Sequence, residues 1–325
     1  MIPVVDQLVL TCVVDNSYDI FAKGGKFGEL TVQRTPVPYP YGSGVMLLAE
    51  HGLAYHLEST RGTERREILL DFSLTTRTLT NNYQALRLDP SKADALIISH
   101  GHDDHYGGLP ELVRAFQGRF RPGITLYAGA EDTFCHRWQV KDDGRQVDRG
   151  QLSRTELESH GVNVELAKQP TVIAGHAITS GQIPRLTDYE MTPPSARLEA
   201  APGAEAKPGE LVKDSFLGEH ATAYHVKGRG LVVISSCGHA GIVNTTRHFQ
   251  KISGIDRIHA VVGGWHLAPY ADEVISKSIT ALKEINPDYY IPMHCTGFRA
   301  LAAIHREMPE KLILPAAGTR VIFGA

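Results

Sequence analysis

The chain has 325 residues, 42% of them hydrophobic and 21% charged, with a formal net charge of -3. That is the composition of an ordinary globular protein long enough to bury a full core. No run of Lys and Arg gives nucleic acid an electrostatic footprint, and no stretch of about 18 apolar residues reads as a membrane span. The first ten residues read as a strand, not a signal peptide. Cys12, Cys135, Cys237 and Cys295 are far apart in sequence, so free thiols and a cytoplasmic location are expected.

The first third predicts strands at 7–14, 44–49, 53–58 and 67–70, the last two flanking a turn at 59–63. A helix is expected over 76–86, stopped by Asp89-Pro90. The apolar run 95–98 predicts a buried strand, followed by a helix at 109–116 with Pro110 in its first turn and a strand at 125–128. The middle is less regular: a turn at 142–145, a short helix at 153–160, and strands at 162–167 and 177–180. From about 191 to 210 the chain is rich in Pro, Ala, Gly and Glu, and reads as a flexible excursion from a single domain spanning 1–325. The last third alternates: strands 221–226, 230–235 and 258–262, with a helix at 242–254; then helix 272–285, strand 289–292, helix 298–308 and strand 318–323. Strands first and strand–helix alternation later predict an α/β layered fold.

The densest chemistry follows the strand at 95–98. His100, His102, Asp104 and His105 fall within six residues, a donor set that Zn²⁺ and similar borderline metals prefer. Residues two apart on an extended loop, such as His100 and His102, can hold one ion, and Asp104 and His105 can turn toward a second. Other polar residues recur at predicted strand ends: Asp71, Cys237 with His239, His266, and His294 with Cys295. Strand ends gather in space, and two metals need about eight donors where the 100–105 run supplies four.

With these residues in view, the chain resembles the metallo-β-lactamase superfamily. His100-Gly-His-Asp-Asp104-His105 fits its His-x-His-x-Asp-His signature. Asp71 fits its first motif, an aspartate that orients a metal-binding histidine, and His294 fits its last. The resemblance implies a four-layered αββα sandwich with a dinuclear site at one edge of two sheets. A narrower similarity, to the subfamily named for 7,8-dihydropterin-6-methyl-4-(β-D-ribofuranosyl)aminobenzene 5′-phosphate synthase, rests on Asp15-Asn16, Glu50-His-Gly-Leu53, Ser99 to Leu109, Gly181-Gln-Ile-Pro-Arg185, Cys237-Gly-His-Ala-Gly-Ile242, Gly263-Gly-Trp-His-Leu267 and His294-Cys-Thr-Gly297. Two features depart from the superfamily pattern. The third-motif segment, Ser180 to Arg185, carries no histidine, and the fourth-motif strand ends in Cys237-Gly-His239 where an aspartate is usual.

The resemblance therefore implies metal ligation by His100, His102, Asp104, His105, His239 and His294. Asp71 stands behind them, and Cys237 is a ligand or a wall residue. Two divalent ions are expected, zinc first, with Mn or Fe as alternatives. Asp104 and His266 are the candidate catalytic groups, His266 as a donor near the leaving group. Arg185 and Asn16 are the candidate substrate contacts, for a small molecule with an anionic group. The expected activity is metal-dependent hydrolysis of an ester, lactone or phosphoester. The alternatives are an iron-dependent redox enzyme of the same fold, or a synthase that grips a pterin or phosphate. No nucleic-acid or membrane partner is expected, and the sequence leaves the oligomeric state open.

Overall fold

The computed structural model describes residues 2–35, 44–200, 206–207 and 209–324. Two large sheets face each other. The first has nine strands and carries the N-terminal half at its centre, in the spatial order Asn163–Leu166, Thr125–Ala128, Ala95–Ile97, Glu64–Leu70, Ala54–Arg61, Gln7–Val14, Arg320–Gly324, Leu30–Gln33, Gly25–Phe27. The second has seven, with Thr222–Val226, Gly230–Ser235, Ile258–Gly264 and Tyr289–Met293 in sequence.

Successive side chains of a strand point to opposite faces, and three apolar clusters separate accordingly. Leu57, Ile68, Leu70 and Ile97 of the first sheet meet Val232, Ile234, Ala260 and Val262 of the second in the space between them. Leu69, Leu96 and Leu126 face outward onto the helices Thr76–Leu86 and Leu109–Ala115. Leu231, Val233 and Val261 face the opposite way, onto Ile242–Ser253, Asp272–Ile285 and Phe298–Glu307. Two buried faces explain why Leu231-Val-Val-Ile234 is an unbroken hydrophobic run. The result is the expected αββα layering.

Parallel pairing sets where the chemistry falls. Glu64–Leu70, Ala95–Ile97 and Thr125–Ala128 run parallel in the first sheet, and Gly230–Ser235, Ile258–Gly264 and Tyr289–Met293 run parallel in the second. The loops after their carboxyl ends meet at one edge of the sandwich.

Two expectations differ from the structure. Residues 44–49 form no strand; the Leu48 N–H donates to the Asn82 side chain (2.8 Å), so this segment is held by a helix, not a ladder. The excursion expected at about 191–210 is partly built into a third sheet. Ala196–Glu199 pairs with Arg137–Val140 on one side and Leu211–Lys213 on the other, and Leu198 is buried. Low apolar content hid this strand, because one buried Leu and backbone pairing suffice at a small sheet. Residues 201–205 and 208 of the excursion lie outside the described residues.

Candidate metal centre

The cluster begins with the backbone. Asp71, the first residue after Glu64–Leu70, has a left-handed φ of 59°, and His266 and His294 do likewise at 45° and 52°. Such conformations cost about 1–3 kcal/mol each and persist where the surroundings over-determine them. Here all three residues sit on strand-end loops that feed the same cluster.

Asp71 is fully buried and organises the His100–His105 loop. Its carboxylate accepts from the Ser99 N–H (2.8 Å), the Ser99 hydroxyl (2.8 Å) and His105 Nδ1 (2.7 Å). Ser99 Oγ also lies 2.9 Å from His100 Nδ1. A short helix, Asp103–Tyr106, then turns Asp104 and His105 inward. Because each ring is gripped at Nδ1, the other nitrogen is the one presented to the cluster. His100 Nε2, His105 Nε2, His294 Nε2 and Asp104 Oδ1 are buried without any hydrogen-bond partner. Orphaned buried polar atoms are costly, and four of them converging on one place form a donor set that could hold a metal ion.

The donors group around more than one centre. His100, His102 and His239 bring ligand atoms within 4.8 Å of one another; so do His51, Asp104 and His294, and so do His100, His105 and Cys237. His239 enters from the second sheet, and Glu219 holds it: Nδ1 lies 2.9 Å from Glu219 Oε1, which also accepts the His239 N–H (2.8 Å). Phe216 stacks on the His239 ring at 4.0 Å between centroids. The structure thus brings His100, His102, Asp104, His105, His239 and His294 together, with Asp71 behind His105.

Electrostatics follow from burial and proximity. Burial dominates at His100, His102 and His239 and pulls their pKa values down, favouring the neutral, metal-ready imidazole. Against its own burial, the Asp104 carboxyl is held well below its usual range by His105 and His294. The charges of Asp104 and Asp71 overcome burial at His105 and raise it to about 9. Glu219, likewise buried, is drawn down to about 2 by His239 and the backbone N–H groups it accepts.

Four residues have roles that sequence reasoning placed differently or missed. Asn16, expected to touch substrate, is occupied: its amide donates to the His294 carbonyl (3.2 Å) and its Oδ1 faces His294 Nδ1 (3.0 Å). It orients a histidine. Arg185, expected to clamp an anion, donates Nη1 to the His239 carbonyl (2.5 Å) and Nη2 to the Ser215 carbonyl (3.0 Å). Those bonds brace the His239 loop with two of the five guanidinium N–H donors. His51 was not singled out; its Nε2 lies 3.2 Å from Asp104 Oδ2 and its ring stacks on His294. The Glu50-His-Gly-Leu53 motif was the available signal. Glu219 had no signal, since only the fold carries it to His239. The remaining candidates, His266 and Cys237, face each other, with His266 Nδ1 3.4 Å from the Cys237 sulphur.

A sandwich of two sheets between helices, with a His-x-His-x-Asp-His loop at its edge, defines a metallohydrolase-type fold. The family model described as the metallo-β-lactamase superfamily matches residues 59–236, and the chain belongs to that superfamily. Within it, the chain is 27% identical over 280 residues to the 7,8-dihydropterin-6-methyl-4-(β-D-ribofuranosyl)-aminobenzene-5′-phosphate synthase of Methanocaldococcus jannaschii, covering 85% of this chain and 90% of that protein. Among solved structures, Tm1679, described as a metal-dependent hydrolase of the β-lactamase superfamily, superposes with a TM-score of 0.70 at 22% identity, over 96% of this chain and 98% of that one. The metallo-β-lactamase fold protein YhfI of Bacillus subtilis superposes with a TM-score of 0.52 at 11% identity, over 96% and 98%. At those identities the two structures speak to the fold.

Proposed function

We propose that the chain is a metal-dependent hydrolase acting on an ester, lactone or phosphoester bond of a small molecule. The observation that carries this reading is the convergence of His100 Nε2, His105 Nε2, His294 Nε2 and Asp104 Oδ1, all buried and without a hydrogen-bond partner. Nitrogen and carboxylate donors in that number fit divalent ions of the zinc class, with manganese or iron as alternatives. His100, His102 and His239 would hold one ion; Asp104, His105 and His294, with His51 at the rim, would hold a second.

Ions bound there supply Lewis acidity and lower the pKa of bound water toward neutrality. The chain's own residues do the rest. Asp71, Glu219 and Asn16 hold the Nδ1 atoms of His105, His239 and His294, so that the rings present Nε2 in one orientation. Phe216, stacked flat on His239, keeps solvent from that ring. Asp104 is held ionised by its histidine neighbours and is suited to position a nucleophile. His266 is raised above its usual value against its burial, chiefly by Cys295, and is a candidate acid. With Nδ1 engaged by Cys237, a proton passed to a leaving group would travel through Nε2.

A second reading is supported by the 27% identical relative named as a synthase: the chain is a synthase whose site grips a phosphate- or pterin-bearing compound. The test is a panel of lactones, phosphodiesters, phosphomonoesters, thioesters and β-lactams, assayed with metal-stripped and metal-restored protein. Metal-restored turnover on one class supports hydrolysis. A blank panel, with a phosphorylated pterin raising the melting temperature, overturns it in favour of the synthase reading. Metal analysis of protein purified without added metal separates iron-based redox chemistry. Among the described residues no helix is long and apolar enough to cross a membrane.

A further inference from the structure

Bordering the histidine–carboxylate cluster, and sharing Cys237 with it, lies a set of donors of which the hydrolase reading uses only His266, as a candidate acid. Cys237, His266 and Cys295 come from three loops, each following one of three adjacent parallel strands: Gly230–Ser235, Ile258–Gly264 and Tyr289–Met293. The Cys237 sulphur lies 3.2 Å from the Cys295 sulphur and 3.4 Å from His266 Nδ1, and all three ligand atoms fall within 4.8 Å of one another.

We infer that Cys237, His266 and Cys295 form a thiolate-rich metal subsite for a thiophilic divalent cation of the zinc class. Tetrahedral zinc, with bonds of about 2.3 Å to sulphur and about 2.0 Å to nitrogen, places two sulphurs about 3.8 Å apart and sulphur and nitrogen about 3.5 Å apart. The sulphurs, 3.2 Å apart, would need to open by about 0.6 Å. The donor set differs in kind from the neighbouring one: two sulphurs and a nitrogen, against nitrogens and a carboxylate. Soft ligands select thiophilic ions.

The local backbone is arranged for this approach. Cys237 and Cys295 follow strands that are not neighbours, and the strand between them ends in Gly263-Gly264. A Cβ on Gly264 would lie 2.8 Å from the Cys295 sulphur and 2.3 Å from the Ser236 carbonyl. Gly263 has a φ of 112°, and a Cβ there would meet the Ser235 carbonyl. The missing side chain at Gly264 therefore leaves room for the Cys295 sulphur where it meets Cys237. His266 is held left-handed, at a φ of 45°, with Nδ1 turned to Cys237. Its own N–H donates to the Cys295 sulphur (3.2 Å), a polarity that suits a thiolate. Cys237 is 3% exposed, so ordinary solvent contact does not account for its conformation.

The inference does not depend on which bond the enzyme breaks, and the test reads metal binding directly. Metal-free full-length protein is titrated with Co²⁺ and followed by absorbance and by bound-metal analysis. Wild type is expected to develop a sulphur-to-cobalt charge-transfer band in the near ultraviolet. Cys295→Ser should lose that band and one equivalent of metal. His102→Ala should lose metal from the histidine cluster and keep the band. If Cys295→Ser fails to fold, the wild type still decides: bound Co²⁺ should protect Cys237 and Cys295 from alkylation, read by peptide mass spectrometry. The inference is overturned if wild type shows no charge-transfer band, if Cys295→Ser retains band and stoichiometry, or if the thiols alkylate equally with and without metal. A Cys237–Cys295 disulfide formed under the loading conditions also overturns it. A blank substrate panel with the band intact would fail the hydrolase proposal and leave this one standing.

Discussion

The guanidinium of Arg137 and the backbone of Gly101 interlock: Arg137 Nη1 donates to the Gly101 carbonyl (3.3 Å), and a Cβ on Gly101 would lie 2.2 Å from that nitrogen. Gly101 stands between His100 and His102, so glycine there makes room for the arginine and for the Thr133 carbonyl, which such a Cβ would also approach to 2.2 Å. Arg137 is 2% exposed and pairs through Nε with Asp214 Oδ2 (2.8 Å), which is fully buried. Asp214 in turn accepts the Phe216 N–H (2.8 Å), and Phe216 stacks on His239. One buried ion pair thus ties the His100–His102 loop of the first sheet to the His239 loop of the second.

Arg137→Met should therefore damage both stability and metal binding. Removing one partner of a buried pair costs about 3–5 kcal/mol, because the other charge is stranded. Chemical denaturation of the metal-free protein checks the first effect. Adding Asp214→Asn to Arg137→Met should recover part of that loss. No recovery would mean that the arginine acts through its carbonyl bonds alone.

His102→Ala and Asp104→Ala should each lower bound metal and abolish turnover, as measured by elemental analysis and by activity on whichever substrate the panel identifies. Full metal content in His102→Ala would contradict the assignment of His100, His102 and His239 as one ligand set.

Glu219→Gln should weaken metal binding roughly 10–100-fold, the usual cost of losing the partner that orients a ligating histidine. The amide oxygen can still accept from His239 Nδ1 and N–H, which share one carboxylate oxygen, but an amide NH2 in place of the other oxygen would face the Ala240 N–H donor, and the negative charge beside His239 is lost. Competition with a chromophoric chelator measures the change; unaltered affinity would make Glu219 a purely structural residue.

Acid should destabilise the protein through buried histidines outside the ligand set. His220 is 2% exposed, with Nε2 on the Ile98 carbonyl (2.9 Å) and Nδ1 unpartnered, and burial pulls its pKa down. His176, also fully buried, is shifted the same way, again mainly by burial. A histidine with a folded pKa below its unfolded value of about 6.5 contributes stability above that pH and loses it as pH falls toward the folded value. Urea midpoints of the metal-free protein should fall from pH 7 to pH 5. The fall should be shallower in His176→Asn; equal slopes would contradict the assignment.

The sequence by itself determined the elements whose signals are local. The helices Thr76–Leu86 and Asp272–Ile285 and the strands Gln7–Val14, Thr125–Ala128 and Gly230–Ser235 coincide with their expected bounds, because an amphipathic period or an unbroken apolar run is written in adjacent residues. The His100–His105 run was legible for the same reason: its donors are neighbours in the chain. Weak edge strands such as Gly25–Phe27 and Ala196–Glu199 were not legible, since backbone pairing there needs little side-chain pattern. Only the tertiary structure decided what each polar group is spent on. Asn16 and His294 are 278 residues apart, yet the amide serves the histidine. Arg185 braces the His239 carbonyl, and Glu219 turns the His239 ring. Cys237 and Cys295 meet across a strand that ends in two glycines. A side chain's chemical type is local information, but its hydrogen-bond partner depends on which strand ends the fold brings to one edge.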